Sequence, residues 1–338
     1  MKRNVLLLLL LLVLLCGCSD KNDTTNNIVN DGLKEETKEE KKVSIIDVDS
    51  DTRPYAIMIN CHNGALPQAG LDKAYIVYEL MVEGGITRMM ALFKDVQVDK
   101  IGSVRSARTQ YLDYVYENDA IYAHAGGASD ALNRIANEGI SDIDVDGQYG
   151  FRDTSLNRAW EHKLFTSTNL LNSGVSNRGF RTTSDNHSLL KYSAEEIDLS
   201  TYEGSSIANN ISIVYSDYRT SNYSYDIENK VYLRSMNNTS NVDLVTGKEY
   251  TIKNIIIYGV KYSNYCYYGY CAYQKIDNVG TGDGYYVSNG YSIPITWTKN
   301  SKNEKTIYKV KATGEELMVN DGNTYIQIYP ISESLNIS

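Results

Sequence analysis

A predicted β-hairpin carries the first side chains in this sequence whose types and spacing could support chemistry. Gly84-Gly85 separates two apolar strands, and a Gly-Gly pair is a strong signal for a two-residue turn. That turn places Glu79 opposite Met90 and puts Glu79, Glu83 and Arg88 on one face, with apolar residues on the other. Two carboxylates on one face are what glycoside hydrolysis uses, although a nearby arginine lowers carboxylate pKa values and opposes a general acid at neutral pH. The arrangement depends on the turn, because a shift of one residue would reverse the faces.

Two arginines near the start of a predicted helix form a second candidate. Residues 106–117 have helical spacing, and Ser103 or Ser106 is a suitable N-cap. Arg105 and Arg108 then lie three residues apart on one face, at the helix end where a cation is unfavourable by about 0.3–1 kcal/mol. Either the two glutamates of the hairpin compensate this charge in a salt-bridge network, or the arginines bind an anion together with backbone N–H groups.

Two histidines complete the candidate ligand-binding residues. His124 precedes Gly126-Gly127 at the end of a predicted strand, and His162 follows a tryptophan and a glutamate. The four histidines of the chain lack the HExxH and HxH spacings of metal sites, and no GxSxG, P-loop or GxGxxG motif is present. The sequence therefore predicts no metal and no cofactor, assigns no catalytic residue, and leaves open whether the chain is an enzyme.

The N-terminus has the pattern of a lipoprotein signal peptide. Lys2 and Arg3 precede an apolar run that is too short for a membrane-spanning helix. The run ends in Leu15-Cys16-Gly17-Cys18, which resembles a bacterial lipobox with a small residue before the second cysteine. We therefore expect residues 1–17 to be removed and Cys18 to be acylated, so that the lipid holds the protein at the outer face of the plasma membrane. The formal net charge of −9 disfavours broad binding to nucleic acid or to anionic headgroups.

The rest of the chain divides by composition. Residues 18–52 lack aromatic residues and are predicted to be a disordered tether behind the lipidated cysteine. Strands and helices alternate over residues 53–200, whereas residues 204–331 are almost entirely predicted strands, so the fold class is α+β, with a mixed α/β domain followed by a mostly antiparallel β domain. Cys266 and Cys271 bracket Tyr-Tyr-Gly-Tyr and either form a disulfide across a hairpin, as proteins outside the cell often do, or stay free.

Several of these segments resemble the YerB-type bacterial lipoproteins, a family of uncharacterised function. The most specific strings are Glu-Gly-Gly-Ile-Thr-Arg at residues 83–88 and Val-Arg-Ser-Ala-Arg at residues 104–108. Residues 120–127 and 280–285 also look like the family, as does the segment that begins at His162. The resemblance implies an envelope lipoprotein with an N-terminal mixed domain and a C-terminal β domain, but it implies no reaction.

These observations favour a non-enzymatic accessory protein of the cell envelope. Its Arg/Glu cluster would bind an anionic group of a wall polymer, or a membrane protein of the wall-synthesis machinery. One alternative is an enzyme that cleaves the glycan of peptidoglycan, with Glu83 as the acid and Glu79 as its partner. A third possibility is a solute-binding lipoprotein, which would require two similar α/β lobes.

Overall fold

An eleven-stranded sheet runs through residues 41–338, which are the residues that the computed structural model describes. Three helices and two small 2-stranded sheets, a 3-stranded sheet and a 6-stranded sheet surround it. The helices are α1 Thr109–Glu117, α2 Ser129–Glu138 and α3 Thr168–Arg178. The mixture of helices and strands in the first half and the strand-rich second half confirm the predicted α+β class. None of the helices within residues 41–338 is long and apolar enough to cross a membrane.

Strands alternate with the three helices in the first half of the described chain and follow one another in the second. The first half contains β1 Tyr55–Asn60, β2 Ile76–Met81, β3 Thr87–Phe93, β4 Ile101–Gly102, β5 Ile121–His124, β6 Asp142–Asp144, β7 Phe151–Arg152, β8 Leu164–Thr166 and β9 Lys191–Ser193. The second half contains β10 Ser206–Ile207, β11 Asn210–Ser216, β12 Arg219–Asp226, β13 Val231–Met236, β14 Thr239–Ser240, β15 Thr251–Ile252, β16 Asn254–Val260, β17 Tyr262–Tyr267, β18 Tyr270–Ile276, β19 Gly280–Ser288, β20 Tyr291–Lys299, β21 Ile307–Val310, β22 Met318–Asn320, β23 Thr324–Pro330 and β24 Leu335–Ile337.

The main sheet joins the two halves of the sequence. Its order is β10-β20-β19-β16-β23-β2-β3-β1-β5-β6, with β21 beside β20. The junction is β23, which pairs in parallel with β2 on one side and with β16 on the other. The central strands have nearly continuous apolar sequences, as expected for strands that are covered on both faces. Residues 53–200 and 204–331 are therefore separate segments of sequence that share one sheet.

Both faces of the main sheet are buried. Helices α1 and α2 cover one face, where Tyr78, Tyr111 and Leu112 belong to one hydrophobic cluster. Helix α3 and the 6-stranded sheet, which contains β11–β15 and β24, cover the other face in a second cluster. A side chain on either face of the central strands is consequently enclosed unless it lies at a strand end.

The predicted register of the β2–β3 hairpin is wrong by one residue. Glu79 pairs with Met89 instead of Met90, because the loop contains three residues, Glu83 to Gly85, and not two. The N–H of Val82 closes this loop by donating to the C=O of Ile86 at 2.8 Å. Side chains alternate along a strand, so the shift places Glu79 and Arg88 on opposite faces of the sheet.

The first helix also begins later than predicted. Helix α1 starts at Thr109 after an extended Arg108, and neither Ser103 nor Ser106 caps it. Helix α2 ends at Gly139, which has a left-handed φ of 66°, the backbone conformation for which glycine is favoured at the end of a helix.

The predicted tether is ordered at its end. The backbone N–H groups of Ser44 and Ile45 each donate to Asp321 at 2.9 Å, and Ile46 is 5% exposed. The chain thus packs against the sheet before residue 52. Residues 1–40, including the predicted signal peptide and Cys18, lie outside the described part of the chain.

Candidate functional site at the carboxyl ends of β1 and β5

A short extended segment, residues 103–107, lies between the diverging ends of two parallel strands. Strands β1 and β5 pair directly only over the first part of each strand. Beyond that point, the N–H of Arg105 donates to the C=O of Met58 at 2.9 Å, and the C=O of Arg105 accepts from the N–H of Ala125 at 3.1 Å. Ligands of open α/β sheets bind at the carboxyl ends of strands, where neighbouring strands separate. The backbone thus holds Arg105 at the edge where a ligand is expected.

Arg105 differs from its neighbouring arginines in its surroundings. It is half-buried, and its guanidinium forms no hydrogen bond or ion pair with any of residues 41–338. It lies close enough to Arg88 and His162 to lower the pKa of both groups, in each case after the larger effect of burial. An acid, Glu161, also lies nearby: a backbone hydrogen bond lowers its pKa, and His162 and Arg105 lower it further. Glu161 is exposed and forms no ion pair with Arg105, so the guanidinium remains available to an anion.

Glu83 forms ion pairs with the other two arginines, Arg108 and Arg88. Its carboxylate accepts from Nε of Arg108 at 2.8 Å and also contacts the Nη2 of that residue. It lies 3.6 Å from Arg88, whose Nη1 donates to the C=O of Ser106 at 2.8 Å. Burial lowers the pKa of Arg88 to about 10 and also lowers the pKa of Arg108. This trio is the part of the predicted network that forms, and its side chains are 7–17% exposed.

Two stacked histidines lie beside Arg105. The rings of His62 and His162 are 4.8 Å apart and inclined by only 17°. Asn60 holds both residues: its Oδ1 accepts from the N–H of His62 at 3.0 Å, so its Nδ2 faces Nδ1 of His162, also at 3.0 Å. The Nδ1 of His62 accepts from the N–H of Gly64 at 3.0 Å. With both Nδ1 atoms accepting, each neutral ring carries its proton on Nε2, which makes Nε2 a donor.

Burial lowers the pKa of His162, and the neighbouring His62 and Arg105 lower it further. His162 is 6% exposed and is therefore neutral at pH 7, whereas His62 is exposed. We call Asn60, His62, Arg105 and His162 the Arg105 site. The site offers one guanidinium fork and two imidazole N–H groups, all suited to carboxylate or phosphate oxygens.

The structure separates the remaining predicted residues from this site. His124 is 1% exposed, with Nδ1 at 2.8 Å from the C=O of Gly126 and Nε2 at 3.2 Å from Asp142, so both ring nitrogens have partners within the protein. Within residues 41–338, no three His, Cys, Asp or Glu side chains are grouped so that they could hold a metal ion. The structure joins Cys266 and Cys271 in a disulfide between β17 and β18, outside the site.

Glu79 lies on the opposite face and belongs to a sealed ion pair. Both of its carboxylate oxygens accept from Nη2 of Arg234 at 2.8 Å, and the two side chains are 0% and 1% exposed. The hydroxyls of Thr87 and Ser221 also donate to this carboxylate. Cys61 lies close by, where burial raises the pKa of its thiol to about 11, so it has little thiolate character. The predicted face that carries Glu79, Glu83 and Arg88 together therefore does not form.

Sequence reasoning missed Asn60 and His62 as site residues. A signal for both was present, because Asn60 is the last residue of the apolar strand β1 and His62 lies two residues beyond it. Polar residues directly after the carboxyl end of a buried strand are candidates for ligand binding. The partner of Glu79, Arg234, had no such signal, because 155 residues separate the two in sequence.

Comparisons with known proteins identify relatives of the chain. Two models of a family described as "Protein of unknown function (DUF3048)" match it, the N-terminal domain over residues 43–181 and the C-terminal domain over residues 211–326. A Bacillus subtilis (strain 168) protein described as "Putative lipoprotein YerB" is 29% identical over 310 residues, which cover 89% of this chain and 86% of that protein. The crystal structure of YerB protein from Bacillus subtilis matches with a TM-score of 0.72 and 26% identity, covering 85% of this chain and 94% of that one.

Proposed function

Since the chain belongs to the DUF3048 family, together with the YerB lipoprotein that its sequence motifs resemble, we propose that it is a lipid-anchored accessory protein of the cell envelope. In this proposal Cys18 is acylated after removal of residues 1–17, and the lipid holds the folded part at the outer face of the plasma membrane. The name of the relative and the lipobox-like sequence before Cys18 support this location.

The Arg105 site is the proposed binding surface, and its ligand is an anionic group of a cell-wall polymer. The observation that carries the proposal is the guanidinium of Arg105, which forms no ion pair among residues 41–338, with Glu161 only in its wider surroundings, although Arg88 and Arg108 next to it share Glu83. A phosphate or carboxylate would replace the missing partner and would accept from Nε2 of His62 and His162. The chain as a whole is acidic, with a formal net charge of −9, so it repels a broad anionic surface. A single anionic group can still dock on the local cluster of cations.

The glycan-cleaving alternative is not supported by the geometry of its two carboxylates. Glu79 is fully buried and neutralised by Arg234, so no substrate can reach it. Glu83 is bound by Arg108 and Arg88, which stabilise its charged form and oppose a role as a general acid. The solute-binding alternative required two similar lobes, whereas one sheet joins the halves and the described helices lie only in the first half.

The test measures binding of the chain from residue 19 onward to purified cell walls. Arg105→Gln should weaken binding by about 10-fold or more, since a hydrogen bond to a charged group contributes about 1.5–3 kcal/mol. Lys309→Gln is the matched control, because it removes one positive charge from β21, several strands away in the sheet. Binding should also fall as salt is raised.

Two wall preparations distinguish the sources of the anion. Walls stripped of phosphate polymers by hydrofluoric acid retain peptide carboxylates, so loss of binding would assign phosphate and retention would assign carboxylate. Equal binding by the Arg105→Gln and Lys309→Gln variants would refute the proposed role of the site. If the wild type binds neither preparation, the proposed wall ligand is wrong, and a membrane protein becomes the partner to seek.

A further inference from the structure

A hairpin rich in tyrosine projects beside helices α1 and α2. Strands β17 and β18 pair only with each other, and the disulfide ties them near the turn. The hairpin carries six tyrosines, Tyr262, Tyr265, Tyr267, Tyr268, Tyr270 and Tyr273. Tyr268 is 87% exposed and Tyr270 is 49% exposed, so part of this aromatic surface faces solvent. Exposed rings of this kind combine a large apolar face with a polar tip, which suits contact with a ligand that is itself amphipathic.

A cavity of about 310 Å³ separates the hairpin from the two helices. Its walls combine aromatic rings with amide, carboxylate and cationic groups, from Thr109, Gln110, Asp113, Asp130, Arg134, Tyr265, Tyr267, Gln274, Lys275, Ile276 and Lys302. The volume is at the lower end of the range for small-molecule sites. The cavity shares no lining residue with the Arg105 site, so a ligand could occupy it whether or not that site binds an anion.

Asp130 presents an unsatisfied acceptor in this cavity. Its Oδ2 accepts hydrogen bonds from the hydroxyls of Tyr265 and Thr109. Its Oδ1 is buried and has no hydrogen-bond partner among residues 41–338. Leaving a buried acceptor unpaired costs about 1–3 kcal/mol, and more for a charged group. Because Oδ1 is closed to solvent, a donor from outside the described chain reaches it only when the carboxylate turns toward the cavity, and such a donor would then be held strongly.

The charges around Asp130 limit the chemistry of that donor. Asp113, the other acid of the cavity, is already bonded to Arg134 at 2.6 Å and to Asn278 at 3.0 Å. Lys275 and Lys302 add two further cations to the walls. A cationic ligand would meet three positive side chains, so a neutral hydroxyl is the favoured donor.

We propose that this cavity binds a saccharide. Its ring hydroxyls would donate to Oδ1 of Asp130 and bond the amides of Gln110 and Gln274, while the face of a pyranose would pack on Tyr267. A saccharide combines several hydroxyl groups with apolar C–H faces that match tyrosine rings. Tyr267 is positioned for this by Asn133, whose Nδ2 donates to its hydroxyl at 2.7 Å.

Ligand-observed NMR by saturation transfer tests the proposal with two defined probes, the β-1,4-linked tetramer of N-acetylglucosamine and maltotetraose. Binding of either by the wild type is expected, and a preference for the first would identify the N-acetylated glycan of the wall as the source. Tyr267→Ala should weaken binding at least 10-fold, whereas Tyr218→Ala, which removes a tyrosine that is 71% exposed outside the cavity, should leave it unchanged.

Asp130→Asn provides a second variant, because it retains the side-chain volume and reports on the oxygen even if Tyr267→Ala loosens the hairpin. It should also weaken binding about 10-fold. Absence of binding of both probes at millimolar concentration would overturn the proposal, and so would equal binding by the wild type and Asp130→Asn. Neither result bears on the Arg105 site, whose test uses charge variants and anionic walls.

Discussion

Replacing Arg234 by methionine should destabilise the protein by about 3–5 kcal/mol, because it leaves a charged carboxylate buried without its partner. Glu79 and Arg234 have side chains that are 0% and 1% exposed, and Nη2 of Arg234 lies 2.8 Å from both oxygens of Glu79. Burial opposes the charge on Arg234, but Glu79 together with Tyr223 and other neighbouring groups outweighs this effect, so the pKa of the guanidinium is raised. The hydroxyls of Thr87 and Ser221 would remain as donors in the variant, yet both are neutral.

This loss is large against the total stability of a domain, which is about 5–15 kcal/mol. Urea unfolding followed by tryptophan fluorescence measures it, and the midpoint should fall by roughly 1 M or more. The double variant Glu79→Met/Arg234→Met should be more stable than Arg234→Met alone, because it removes both buried charges together. Lys191→Met is the matched control: its partner is Glu316, both side chains are at least 40% exposed, and the expected cost is below about 1 kcal/mol.

Two results would refute this reasoning. If Arg234→Met cost no more than Lys191→Met, the pair would not be sealed as the structure indicates. If the double variant were less stable than Arg234→Met, then packing and not charge would dominate at this position.

Two further predictions concern the Arg105 site and the second half of the chain. Burial lowers the pKa of His162 below its ordinary 6.5, so the unfolded chain takes up this proton at a higher pH than the folded chain does. The stability of the protein should therefore fall as the pH drops below about 6.5. A comparison of urea midpoints at pH 5 and pH 7.5 measures this fall, and the His162→Asn variant should lack the part of it that is due to His162. Gly282→Ala should destabilise the protein by about 1–3 kcal/mol, because an added Cβ would lie 2.6 Å from Nε1 of Trp297. The control is Gly179→Ala, in which the added Cβ lies in open space and the only cost is the strain of a φ of 62°. A larger loss of thermal stability in Gly179→Ala than in Gly282→Ala would contradict the clash with Trp297.

The hairpin shows where sequence reasoning about the site was reliable and where it failed. The sequence predicted two apolar strands separated by Gly84-Gly85, and β2 and β3 form on the two sides of that pair. The turn type was wrong, because Glu83 joins the two glycines in a three-residue loop. Gly-Gly is compatible with both loops, and only packing against the rest of the fold decides between them. One residue of register was enough to move Glu79 from the predicted binding face into the core.

The arginines show a different limit. Their spacing predicted that Arg105 and Arg108 would act together, but that expectation assumed a helix from residue 106. Because α1 begins at Thr109, both arginines precede the helix, in extended backbone, where side chains three residues apart point to opposite sides. Arg108 reaches Glu83, while Arg105 reaches the histidines. The segment around Arg105 is extended because it pairs with β1 and with the end of β5, which are distant in sequence. The local sequence therefore could not show that the two arginines have different partners.

The shared sheet explains why both the core and the site depend on the whole chain. Strand β2 has β23 as its neighbour, and the carboxylate on β2 finds its cation on β13, so the first half alone would leave an unpaired strand edge and an unpaired buried charge. The opposite face of β2 and β3 carries Arg88, which together with Arg108 engages Glu83 and so leaves Arg105 without an ion pair among residues 41–338. The alternation that places Glu79 inside thus also places Arg88 beside the site. Changes in the second half that shift β23 relative to β2 should therefore alter the Arg105 site without touching any of its residues.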